Sequence, residues 1–105
     1  MNSPNPPTAI FFNCYIAAMG GLSAASLLHL SVPQDVSFIC FDDDPLFKTM
    51  AAAMTCVSQD LKNIGIHAVD LLLKRIHGDY TDFPKIDMLD VQFHPRKSVR
   101  NISQE

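Results

Sequence analysis

The stretch VPQDVSFICFDDDP, residues 32–45, decides how this chain is read. Pro33 fixes its own φ and pushes Val32 toward an extended conformation, so residues 31–35 make a turn. Residues 36–41 are a short apolar run of the kind that forms a strand in a sheet. Three acids, Asp42, Asp43 and Asp44, then end the run, and Pro45 is a favoured first residue of a helix. A greasy strand that stops in three carboxylates needs a reason for them.

Composition sets the limits. The chain has 105 residues, 48% hydrophobic and 18% charged, which is one small globular domain with no room for a second full one. No apolar run approaches the roughly 18 residues that span a bilayer, and residues 1–7 lack the basic and apolar regions of a signal peptide, so no membrane partner is expected and a cytoplasmic location is. A net charge of -3 argues against a chain whose main business is neutralising phosphates on nucleic acid. Cys14, Cys40 and Cys56 are odd in number and show no C-x-x-C spacing, so buried reduced thiols are expected. The histidines show neither i,i+4 pairing on one helix nor nearby cysteine ligands, and no metal or cofactor is expected. His77 is best placed as a cation at a helix C-terminus.

Outward from the opening stretch, the elements follow in order. Residues 1–6 are a proline-rich leader. Residues 8–12, TAIFF, read as a strand buried on both faces, and residues 15–30 as a helix whose small residues, Gly20 and Gly21 among them, permit close packing. Residues 45–54 form a short helix or loop, and residues 54–58 a third strand. The clearest helix runs over 59–77: Leu61, Ile64, Gly65, Ala68, Leu71, Leu72 and Ile76 share one face, Ser58 caps the start and Gly78 follows the end. Residues 85–95 alternate as a half-buried strand through Ile86 and Met88, and residues 96–105 are a polar tail. The order β-α-β-(α)-β-α-β predicts an α/β fold with a mostly parallel open sheet and flanking helices.

In such sheets ligands bind outside the carboxyl ends of the strands, where Asp42 falls. Three readings of the acids compete. They cap and charge-balance the following helix; or Asp42 accepts hydrogen bonds from a small polar ligand; or Asp42 and Asp44 are the nucleophile and acid/base of a haloacid-dehalogenase-like, Mg²⁺-dependent phosphatase. Against the last, the phosphatase motif usually continues with Thr, whereas Pro45 and Leu46 follow here.

Several separated motifs, taken together, resemble the C-terminal part of the effector-binding domain of LacI/GalR transcriptional regulators. They are PTAIFF, AAMGGLSAA, LSVPQDVSFICFDDDPL, MTCVSQDLKNIGIHAVDLLLKRIHG and RKS, in that order over most of residues 7–99. The resemblance implies a periplasmic-binding-protein-like (type I) fold, two lobes closing on a sugar or nucleobase, and no enzymatic activity. It makes Asp42 an effector contact, with Gln59 near the same pocket, and Met19 and Ser23 part of a dimer face. Cys14 and Tyr15 stand where the family commonly has Asn-Asp, so a sugar-hydroxyl partner is missing; the Tyr15 ring either stacks on a ligand face or fills the space, and the effector either differs from the family's or is absent. Cys40 stands at the usual glycine and is expected to narrow the pocket wall. DNA is expected to be reached only through a helix-turn-helix that precedes this region in a full-length regulator. The helix over 59–77 is expected to pack into the first lobe, so its apolar face predicts an oligomer here. A solute-binding protein core with no DNA role is the alternative outside transcription.

Overall fold

The computed structural model describes residues 4–50, 52–81 and 83–104; the first three residues of the expected leader lie outside them. The chain forms β1 (Ala9–Phe12), α1 (Tyr15–Leu27), β2 (Ser37–Phe41), a 3-10 turn (Pro45–Lys48), β3 (Thr55–Gln59), α2 (Leu61–Ile76), β4 (Val91–His94) and a closing 3-10 turn (Ile102–Gln104). The strands lie in the order β1-β2-β3-β4. β1 and β2 are parallel with Ile10 opposite Phe38, and β2 and β3 are parallel with Cys40 opposite Cys56. This is the expected open, mostly parallel sheet.

Two compact units divide the chain, Met1–Ser58 with Phe93–Glu105, and Gln59–Gln92. In the first, the core is Ala18, Ala25, Val36, Phe38, Cys40, Phe47, Met54 and Cys56. β2 supplies its centre because a strand with neighbours on both sides has its backbone satisfied and can bury consecutive side chains. β1 corrects the expectation of burial on both faces. It is an edge strand whose residues alternate between exposed and half-buried, and Phe11 remains 60% exposed. Cys40 is fully buried in the core, and burial pushes its thiol, like that of Cys56, up to about 11. Both are protonated at neutral pH and act as small hydrophobes.

Residues 96–100 of the expected tail are tied into the sheet. Ser98 is fully buried: its hydroxyl donates to Phe38 O at 2.5 Å and accepts from Thr55 N–H at 2.8 Å, while its carbonyl accepts from Phe38 N–H at 2.9 Å. Arg96 N–H donates to Thr55 Oγ1 at 3.0 Å, and Arg100 N–H to Ser37 Oγ at 3.1 Å. The segment thus continues the hydrogen bonding of β2 past the point where β3 begins, which is why Ser37 and Thr55 can be buried without cost.

In the second unit, the cap of α2 is Asp60, not Ser58. Its carboxylate accepts from Asn63 N–H at 3.2 Å and from the Asn63 side chain at 2.6 Å. His77 is the C-cap, as expected, and Gly78 follows with φ 85°. Arg75 lies over the rings of Tyr80 and Phe83, at 5.7 and 5.3 Å, and donates to Asp79 O. No α2 residue is buried, and residues 85–90 form no strand: Ile86 and Met88 are 85% and 86% exposed. Between them Asp87 is drawn to His67 of α2 at 2.6 Å, so alternation without a pairing neighbour did not become a strand.

The two glycines of α1 differ. A Cβ at Gly21 would lie 2.3 Å from Phe12 Cζ, and that ring is held edge-on against Phe38 at 4.8 Å; a Cβ at Gly20 meets nothing within 4 Å. Gly21→Ala is therefore expected to cost about 1–3 kcal/mol, and Gly20→Ala to be neutral or to stabilise by up to about 1 kcal/mol. Urea unfolding of the two variants checks this, and equal effects would contradict it.

Candidate functional site

Parallel pairing brings the carboxyl ends of β1, β2 and β3 to one edge of the sheet. Cys14, half-buried, is the N-cap of α1, and its thiol makes no cap hydrogen bond. Tyr15 opens the helix and is 40% exposed. Two residues of the expected dimer face lie on the same helix. Met19 is half-buried against the core, and Ser23 is exposed. Gln59 ends β3, half-buried, and begins the second unit.

The three acids at the end of β2 have separate places. Asp44 is the cap: its Oδ1 accepts from Leu46 N–H at 2.9 Å at the start of the 3-10 turn. Asp43 is clamped by Arg96, whose Nη1 donates to Oδ1 at 2.8 Å and whose Nη2 donates to Oδ2 at 2.7 Å. The Arg96 Nη1 also donates to Met54 O at 3.0 Å, and Asp44 N–H donates to Asp43 Oδ1 at 2.9 Å. The Arg96 hydrogen bonds hold the Asp43 carboxyl down to about 2. Asp42 is tied to β3 through its backbone. Its N–H donates to Val57 O at 2.7 Å, and its backbone sits at φ 84°, a conformation that side chains other than glycine adopt at some cost.

The capping reading is thus right for Asp44. The phosphatase reading needs Asp44 as a free acid/base, but its carboxylate is taken up as a cap. Among the described residues no group of three His, Cys, Asp or Glu side chains could hold a metal ion. A groove of about 720 Å³, lined by α2 residues alone, contains none of the candidate residues. A hollow of about 150 Å³ touches Asp43, Asp44, Pro45 and Lys48.

One pair escaped the sequence. Ser58 Oγ lies 2.8 Å from His94 Nε2, both half-buried, and Asp42 is bonded to the residue just before Ser58. The partners are 36 residues apart, and only Ser58 lies in one of the motifs, so no sequence signal joins them.

A family profile described as a periplasmic binding protein-like domain matches residues 1–99. The HTH-type transcriptional repressor PurR of Actinobacillus pleuropneumoniae serotype 3 (strain JL03) is 35% identical over 102 residues, 93% of this chain and 30% of the repressor. The HTH-type transcriptional repressor CytR of Escherichia coli (strain K12) is 36% identical over 80 residues, 76% of this chain and 24% of that protein. Among solved structures, a LacI family transcriptional regulator from Enterococcus faecalis V583 with bound ribose superposes with a TM-score of 0.82 at 26% identity, covering 91% of this chain and 36% of the regulator. The chain spans about a third or less of each of these relatives.

The Asp43 clamp has a pH signature. Because the folded carboxyl titrates near 2 and the ordinary value is 3.8, the contribution is complete at pH 5 and above. Below pH 4 the unfolded chain takes up the proton first, and stability falls until the folded form protonates near pH 2. Allowing for the partial exposure of the pair, the expected loss is about 1–2 kcal/mol. Urea midpoints from pH 6 to pH 2 should fall less steeply in Asp43→Asn than in the parent; parallel slopes would refute the clamp.

Proposed function

The chain belongs to the periplasmic-binding-protein-like effector domains of the LacI/GalR family of transcriptional regulators, and we propose that Asp42 is its contact with a small polar effector. The observation that carries this reading is the position of Asp42: it stands at the carboxyl end of the central strand with φ 84°. A strained non-glycine residue held in place by its neighbours is a common mark of a functional position. A carboxylate there accepts two hydrogen bonds, which suits vicinal hydroxyls of a sugar or the N–H edge of a base. Ribose in the structural relative supports the sugar class. Tyr15 offers a ring for stacking, with Cys14 beside it, in place of the usual amide and carboxylate. Gln59 is a further proposed contact.

On this reading the protein is a sensor and not an enzyme, and it works in the cytoplasm beside its operator. Effector binding favours one arrangement of the lobes, and that preference shifts the DNA-binding population through a dimer that includes Met19 and Ser23 of α1. DNA is contacted by a helix-turn-helix outside this chain.

The test is a thermal-shift screen of pentoses, hexoses, nucleosides and purines on a full-length regulator carrying this region. One class should raise Tm. Asp42→Ala should abolish that rise while changing the unliganded Tm little. A variant that still responds fully would remove Asp42 from the site.

A further inference from the structure

The backbone of Asp42 is held from two directions. A non-glycine residue at φ 84° keeps that conformation when the groups around it fix it from more than one side. Along the chain, Asp43 is gripped by Arg96 and Asp44 is bound to the turn. Across the sheet, Asp42 N–H donates to Val57 O at 2.7 Å, so the place of Asp42 is as firm as the place of that carbonyl.

Val57 stands two residues from the end of β3, where strands fray and hydrogen bonds open first. β4 is the neighbour of β3 and stops at His94. The next residue, Pro95, has no N–H to donate, and Arg96 N–H goes to a side chain, Thr55 Oγ1 at 3.0 Å. At the end of β3 the link is made by a ring instead: His94 Nε2 lies 2.8 Å from Ser58 Oγ, and both residues are half-buried, which limits competition from water.

That link bears on Val57 O directly. The Val57 carbonyl and the Cα of Ser58 belong to one planar peptide unit, so a Ser58 side chain held at its far end restrains the tilt of the plane and the direction in which the carbonyl points. We propose that His94 is a positioning residue for Asp42, acting through the Ser58 hydroxyl and the Val57–Ser58 peptide. Asp42, Val57, Ser58 and His94 all lie in the first compact unit. A carboxylate held in place before its ligand arrives spares the cost of ordering it on binding. That consequence for affinity rests on the reading of Asp42 as the effector contact; the relay itself needs no effector.

Hydrogen exchange of a full-length regulator carrying this region, read residue by residue by mass spectrometry with electron-transfer fragmentation, tests it without any ligand. Ser58→Ala and His94→Phe should each speed exchange of Asp42 N–H about tenfold. Ser37 N–H, bonded to Thr8 O, and Phe38 N–H, bonded to Ser98 O, should keep their parental rates. His94→Gln, whose amide can donate or accept where Nε2 stands, should return Asp42 N–H to within about twofold of the parent. An Asp42 rate indifferent to both Ser58→Ala and His94→Phe, equal quickening at Ser37 and Phe38, or a glutamine no better than phenylalanine would each overturn the relay. The thermal-shift response of Asp42→Ala judges the effector contact separately, so either can fail while the other stands.

Discussion

The forked contact of the Arg96 guanidinium with both oxygens of Asp43, at 2.8 and 2.7 Å, joins the end of the central strand to a segment 53 residues later. Around it the backbone is tied down in both directions. The same guanidinium holds Met54 O just before β3, Arg96 N–H holds Thr55, and Ser98 two residues on replaces a missing strand beside Phe38. A bidentate pair fixes direction as well as distance, because the planar fork fits a carboxylate in one orientation. With Asp43 so oriented and Asp44 holding the turn, the residue before them is placed at the strand end in a backbone conformation that a loose chain would not choose.

Much of this was legible in the sequence. The alternation of apolar runs and helical spacing gave each principal element except the start of β4 within a few residues, and the order of motifs gave the fold. The departures share one physical cause, which is that periodicity reports a side chain's preference but not its neighbour. TAIFF has the apolar content of a doubly covered strand, yet it lies at the edge, so Phe11 faces outward. Ile86 and Met88 alternate correctly but find no pairing partner. Ser58 and Asp60 are both good caps, and only the geometry of Asn63 selects the second. Arg96 and Ser98 look like solvent-facing polar residues until a partner dozens of residues away buries them.

The candidate site was legible to a similar depth. Asp42 could be singled out because strand ends in parallel sheets gather ligands. The division of work between Asp43 and Asp44 could not, since nothing in DDD distinguishes a clamp from a cap. Nor could the Ser58–His94 pair, which exists only because β3 and β4 are neighbours. The second unit illustrates the complement. α2 has strong local signals at both ends and an apolar face, and none of its residues is buried.

The account depends on Asp43 and Arg96 acting as one unit that shapes the strand end. A double-mutant cycle of Asp43→Ala, Arg96→Ala and both together, read by chemical unfolding at pH 7, measures that coupling directly. The account predicts that the double variant is little worse than either single one, with a coupling of about 1.5–3 kcal/mol. Additive losses, with coupling indistinguishable from zero, would contradict it.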